Sequence, residues 1–288
     1  MITEKAAPAV DLTGVLHAAH LVSIHDIAPG ISAERGITRD LMRVYGVDQH
    51  TATALYRRGR AVEARTRPAN CRGRVAQRHS ETLLAARIIS EGLTEKAAVR
   101  DLASALGRGT NAAREVLHRG RAVHAAVVPF PADGLIMLIG PGASGKSSWA
   151  RMVPATTICL DDLRAILTDN PGDQQATPKA VALHDAIIAE RMRLGRPTVV
   201  DSTNVETRVR NTLVQAARRH GRPVVAVVFT ADLATCTARN ARRPENRRVP
   251  PGILRWQHEQ TALSLPRLRG EGIGDIRVVG PLPAAAVT

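Results

Sequence analysis

The stretch GPGASGKSS at residues 140–148 follows the apolar run LIMLI and leads into KSSWARMV, a helix-forming segment. It satisfies the spacing GxxxxGK[ST], and a strand before it with a helix after it is the setting in which that spacing cradles phosphates. Each residue type has a reason. Glycines permit backbone conformations that aim N–H groups at β- and γ-phosphates, and the helix N-terminus adds partial positive charge. The candidate nucleotide-binding residues are therefore Gly140, Gly142, Ala143, Ser144, Gly145, Lys146, Ser147 and Ser148. Lys146 would neutralise the transferring phosphoryl group and Ser147 would ligate Mg²⁺. ATP and Mg²⁺ are the expected ligands.

A phosphate donor needs an acceptor. The next apolar run, TTICL, ends in DDLR, so Asp161 and Arg164 stand three apart at the carboxyl edge of a second strand. A carboxylate there can take a hydroxyl proton, and a guanidinium can hold an acceptor phosphate bidentately. The same residues could instead cap a helix and form a surface ion pair, a reading that suits Asp162. A third strand in RPTVVDSTN ends at Asp201, which could orient Mg²⁺ through water or cap the following helix. After a fourth strand, PVVAVVFT, the segment ADLATCTARNARRPENRRVP gathers Arg239, Arg242, Arg243, Arg247 and Arg248. Such density beside a phosphoryl-transfer site reads as a lid that neutralises developing charge. Arg239 and Arg243 fit that role, whereas Arg247 and Arg248 fit a solvated surface.

The elements that must position these residues begin at a composition break. Two prolines and a glycine in VVPFPADG, residues 127–134, separate helical periodicity from short apolar runs alternating with helices. Residues 1–128 and 129–288 are expected to be separate domains. Before the break, RDLMRVYGVDQHTATALYRRGRAV realigns without gaps on RDLASALGRGTNAAREVLHRGRAV. Each copy, residues 37–62 and 98–123, reads as helix, glycine turn, helix, with Leu41, Val44 and Tyr45 on one apolar face and Leu102, Ala105 and Leu106 on the other copy's. The pattern looks like the helix-turn-helix class, which would place Gln49, His50 and Thr51, and Thr110, Asn111 and Arg114, near base edges of duplex nucleic acid. Plain bundle packing explains the pattern as well. The basic connector at 63–80 reads as a solvated linker or an arm along a phosphate backbone.

Composition bounds the function. A net charge of +14 over 288 residues suits a polyanionic partner. Aromatics at 2% argue against a base-stacking platform. Cys71, Cys159 and Cys236 lack CxxC spacing, so neither a disulfide framework nor a zinc site is implied. The sequence shows neither a secretory leader nor a membrane-length apolar run, and a cytoplasmic location is expected.

Taken together, GPGASGKSSWAR, DDLR, VVDSTN, RNARR followed by VP, and EGIGDIRVV resemble the polynucleotide 5'-hydroxyl kinase branch of the P-loop kinases, over residues 134–280. The resemblance implies transfer of the ATP γ-phosphate to 5'-OH ends of RNA or DNA. It implies Asp161 as general base, Arg164 as the grip on the phosphate 3' to the first nucleoside, and Arg239 and Arg243 as lid arginines. No DxDGT-type phosphatase signature follows, and the repeats lie outside the resemblance. The expected architecture is a doubly wound, mainly parallel α/β P-loop kinase preceded by an all-α domain of two helix-turn-helix-like repeats. Two rivals stand: a small-molecule P-loop kinase of toxin or antibiotic-kinase type, and a DNA-binding regulator with a nucleotide switch.

Overall fold

A computed structural model describes residues 8–25 and 33–280 of the chain. It divides into two compact units, Met1–Val128 and Pro129–Thr288.

The first unit contains helices α1 (Pro8–His25), α2 (Ala33–Tyr45), α3 (Gln49–Thr66), α4 (Arg74–Ser90), α5 (Glu95–Leu106) and α6 (Thr110–Val127). The repeat is larger than the sequence motif. α1 and α4 each precede a copy, and LHAAHLVS at residues 16–23 matches LLAARIIS at 83–90 at the leucine, both alanines and the serine. Those small residues make the closest helix crossings. A Cβ added to Gly59 of α3 would lie 2.5 Å from the Ala18 Cβ, and one added to Gly120 of α6 would lie 2.6 Å from the Ala85 Cβ. Each RGRAV glycine thus lets a third helix close on a first. α1 and α4 meet antiparallel, since Ser90 Oγ donates to Thr13 Oγ1 at 2.9 Å and His20 Nδ1 lies 3.0 Å from the Ser80 carbonyl.

Two expectations are corrected here. The connector is mostly helix: only residues 67–73 separate α3 from α4, and Glu63, Ala76, His79 and Ser80 are buried. Its packing residues are small or polar, so its arginines dominate the composition while its interior face escapes notice. On α2 the buried face is Ile37, Thr38 and Leu41, whereas Val44 is half exposed. Ala105 is exposed as well, with Ala98, Val99 and Leu102 forming the α5 core face. Gly46 and Gly107 close the two turns at φ +64° and +59°, in the left-handed region that glycine enters without a steric penalty.

The second unit is a five-stranded parallel sheet of order β2-β3-β1-β4-β5, from β1 (Leu135–Ile139), β2 (Thr156–Cys159), β3 (Thr198–Asp201), β4 (Val224–Phe229) and β5 (Asp275–Val279). The flanking helices are α7 (Lys146–Ala150), α8 (Leu160–Thr168), α9 (Thr177–Arg193), α10 (Thr207–Arg218), α11 (Leu233–Ala241) and α12 (Pro251–Ser264). β1, β3 and β4 are buried throughout, as central strands covered on both faces must be. One face packs Met137, Val200 and Ala226 on Ile188 and Met192 of α9 and Leu213 and Val214 of α10. α9 was not anticipated from the sequence. At the far end of β1, Trp149 sits edge-on between Phe130 and Phe229, with both centroid distances 5.9 Å, and seats α7 on the sheet. β3 bonds β1 directly, so the carboxyl ends of β1, β2 and β3 open side by side at the crevice where such sheets bind ligands. Among the described residues no helix is long and apolar enough to cross a membrane.

Candidate active site

The loop after β1 is shaped by its backbone. Ala143 and Gly145 adopt φ +60° and +107°, turning successive N–H groups to one side, and α7 starts at Lys146. Close packing holds this loop. A Cβ on Gly140 would lie 2.9 Å from the Phe229 Cβ, and one on Gly142 would lie 2.9 Å from Val249. The Gly142 N–H donates to Gln257 Oε1 of α12 at 2.9 Å. A cleft of about 350 Å³ is lined by residues 143–148 with Arg239 and Arg243, so the structure brings these six nucleotide-binding candidates and the two lid arginines together, while Gly140 and Gly142 do not line it. Arg239 Nη1 lies 3.4 Å from the Ser144 carbonyl.

Lys146 is buried and donates to the Gly140 and Pro141 carbonyls at 2.9 and 2.7 Å. Burial lowers its pKa to about 8, opposed by the Asp201 carboxylate and reinforced by the Arg243 charge. Asp201 is buried at the end of β3 and bonded to the Ser147 side chain; burial raises its pKa, against the pull of that bond and of Lys146. Ser147 and Asp201 are hard oxygen donors already in contact, and they fit Mg²⁺. Among the described residues no group of three or more His, Cys, Asp or Glu side chains could hold a metal. The ion would thus take most of its oxygens from nucleotide phosphate and water.

The acceptor side is built from side chains. Cys159 pairs with Asp201 in the β2–β3 register, and α8 begins one residue later. Asp161 therefore lies in the first turn of α8, where the helix dipole favours an anion. Arg164, one turn on, is buried and donates from Nη2 to Asp161 Oδ1 and from Nε to the Pro171 carbonyl at 2.9 Å. Two of its N–H groups are thus engaged within the protein. The other Asp161 oxygen, Oδ2, accepts from Arg247 Nη2 at 2.7 Å. This corrects the reading of Arg247 as plain solvated surface: its partner lies 86 positions away, beyond any local pattern. Arg248 donates to the Arg243 carbonyl at 2.9 Å, and Arg242 is exposed.

A residue with no sequence signal fixes the turn after β3. Arg210, fully buried, makes a two-pronged pair with Glu271 at 2.7 and 2.6 Å and donates to the Asn204 and Val205 carbonyls at 3.1 and 2.8 Å. Asn204, at φ +46°, in turn donates to the Leu138 carbonyl at 2.8 Å, tying the turn to β1. Nothing in ETRVRNTLVQ distinguishes this arginine from its exposed neighbour Arg208.

In the first unit, Gln49, His50 and Thr51 are exposed in the first turn of α3, capped by Asp48, whose carboxylate accepts from the Thr51 N–H at 2.7 Å. Arg57 and Arg60 are exposed further along. Thr110, Asn111 and Arg114 are exposed on α6, but there Arg121 is paired with Glu95 at 2.6 Å and Arg119 is half-buried. The two copies share geometry and differ in available charge.

With this geometry in view, the comparison with known families is specific to the second unit. The model of a family described as AAA domain matches residues 135–264. The span runs from the start of β1 to the end of α12. No curated protein matches the chain. The parallel sheet, the loop after β1 and the family match together make the second unit an α/β P-loop kinase fold, a nucleotide-binding domain of phosphotransferase or ATPase type.

Proposed function

We propose that the protein is a polynucleotide 5'-hydroxyl kinase that moves the γ-phosphate of ATP to 5'-OH ends of RNA or DNA. The observation that carries this reading is the placement of Asp161 and Arg164 on the first two turns of α8, beside the β3 end where Asp201 bonds Ser147 at the end of the phosphate-cradling loop. A kinase needs a base there, and an arginine beside it can hold an acceptor phosphate. The basic lid and the net charge of +14 support a polyanionic acceptor.

The residues divide the work. The loop N–H groups and Lys146 hold the triphosphate, Lys146 turning from its two carbonyls to the phosphate. Mg²⁺, when bound, would neutralise phosphate charge, held through Ser147 and Asp201. Asp161 takes the acceptor hydroxyl proton, and Arg239 and Arg243 stabilise charge on the transferring group. Arg164 orients Asp161 and faces the acceptor phosphate.

A small-molecule kinase would share the loop, the Asp161 base and the arginine lid. One experiment separates the two: label from γ-labelled ATP offered to 5'-OH RNA and DNA oligonucleotides beside a panel of small hydroxyl compounds. Label on the oligonucleotides is expected; label confined to small compounds sinks the proposal.

For the first unit we propose duplex binding through the α3 face. Arg57→Ala with Arg60→Ala in the full chain should weaken duplex binding and reduce the slope of log K against log salt by about 0.9 per lost phosphate contact. An unchanged slope would assign these helices to packing.

A further inference from the structure

We propose that Arg247 is a specificity-determining latch, which occupies the Asp161 carboxylate until an acceptor phosphate draws the guanidinium away. The inference rests on the reading of Asp161 as the base for a phosphate-bearing acceptor. In the structure both oxygens of Asp161 are engaged, Oδ1 by Arg164 and Oδ2 by Arg247 at 2.7 Å. Each oxygen keeps a second lone-pair direction and the Asp161 side chain is 35% exposed, so the two guanidinium hydrogen bonds compete with an incoming hydroxyl for the carboxylate rather than shut it off. Drawing one guanidinium away opens the base to the acceptor.

The two arginines are unequally able to leave. Arg164 has a side chain 9% exposed, sits on the same helix as Asp161 and is fastened to the Pro171 carbonyl. Arg247 has a side chain 45% exposed and rides on the lid, on the 3-10 turn Glu245–Arg247 between α11 and α12. The lid around it is held in place. Asn240 closes its base by donating to the Val249 carbonyl at 2.8 Å and accepting from the Val249 N–H at 3.0 Å. Its tip rests on the α8–α9 loop, where a Cβ on Gly172 would come within 2.2 Å of the Asn246 carbonyl oxygen. Arg247 is thereby aimed at Asp161 from an anchored turn, and a change in its side chain alone can release the carboxylate.

The exchange depends on what arrives. An acceptor phosphate offers Arg247 an anion to replace the one it gives up, so release costs little. Water or a neutral hydroxyl compound offers none, and release then forfeits a charge-assisted hydrogen bond. The chemistry that follows is the same in each case. The acceptor oxygen bonds to Pγ, its proton passes to Asp161, the bond from Pγ to the β,γ-bridging oxygen breaks, and ADP leaves with that electron pair. The latch thus suppresses ATP hydrolysis and selects hydroxyls that have a phosphate nearby.

The test uses the full chain as wild type, R247A, R247Q and R247K. Hydrolysis of Mg-ATP without acceptor should rise about 10-fold or more in R247A and R247Q, the factor expected for losing a charge-assisted bond, and less in R247K. The double variant R247A/D161N should fall to the level of D161N, because the released activity passes through Asp161. The preference in kcat/KM for a nucleoside 3'-monophosphate over the bare nucleoside should shrink by a similar factor. A folded R247A or R247Q that binds ATP normally and hydrolyses it no faster overturns the latch. Failure of wild type to label any oligonucleotide would overturn the kinase reading instead, and the hydrolysis comparison would still read the latch, since water needs the same base.

Discussion

The loop after β1 and the cluster at the start of α8, the donor and acceptor sides of the proposed reaction, are made in different ways. On the donor side the backbone does the positioning: Ala143 and Gly145 at positive φ, α7 seated by Trp149, and Gln257 bonded to the Gly142 N–H. On the acceptor side three ionised side chains hold one another, Arg164 and Arg247 on either oxygen of Asp161. A backbone cradle binds whatever carries phosphates in the right order. An ion-pair cluster can be rearranged by an incoming charge, so selectivity belongs on that side.

Substitutions should separate the sides. The largest effect is expected for Asp161→Asn, which should lower transfer to a 5'-OH oligonucleotide by about 100- to 10,000-fold. Nucleotide affinity, measured by calorimetry, should stay near wild type. Lys146→Ala should lose nucleotide binding together with transfer. If Asp161→Asn weakens nucleotide binding as strongly as Lys146→Ala does, the division into sides fails.

A smaller effect is expected for Arg164→Ala. Its loss should cut kcat/KM for a nucleoside 3'-monophosphate by about 10- to 150-fold, the worth of a charge-assisted contact, and change use of the bare nucleoside much less. Equal losses on both acceptors would assign Arg164 to holding Asp161 and the Pro171 loop rather than to the acceptor.

The donor side carries the mildest prediction, a pH dependence. Lys146 is charged in the free protein below its pKa of about 8 and neutral above it, while the bound phosphates favour the charged form. Nucleotide affinity should therefore be level below pH 8 and fall up to about 10-fold per pH unit above it, with proton uptake on binding. Calorimetric titration between pH 7 and 9.5 in buffers of different ionisation enthalpy reads both. A flat profile without proton uptake would mean that Lys146 does not change environment when nucleotide binds.

The same contrast explains what was legible in the sequence. GPGASGKS declares itself because its chemistry is local: eight consecutive residues hold the strand exit, the turn and the helix start. DDLR is also local, and its position at the end of β2 could be anticipated. Arg247 could not, because its partner is in a different element and an exposed RR pair looks the same whether it is paired or solvated. Arg210 was hidden for the same reason, since only the fold brings Glu271 to it. In the first unit the RGRAV repeat was visible, but α1 and α4 were not, because the alanines and serine they share carry little signal until Gly59 and Gly120 are seen pressed against them. The arginine-rich connector misled by composition: Ala76, His79 and Ser80 form its buried face, and none of them is a strong apolar marker.

Phosphoryl transfer to a nucleic-acid 5'-hydroxyl can be read with two oligonucleotides of one sequence, one ending in a 5'-OH and the other in a 5'-phosphate. Each is incubated with the full chain, Mg²⁺ and γ-labelled ATP, and the label is then challenged with a phosphatase that removes terminal phosphate. Label is expected on the 5'-OH strand alone, released by the phosphatase and lowered about 100-fold or more with Asp161→Asn. Equal labelling of both strands, or label on neither while a small hydroxyl compound in the same tube is labelled, would contradict the proposed transfer.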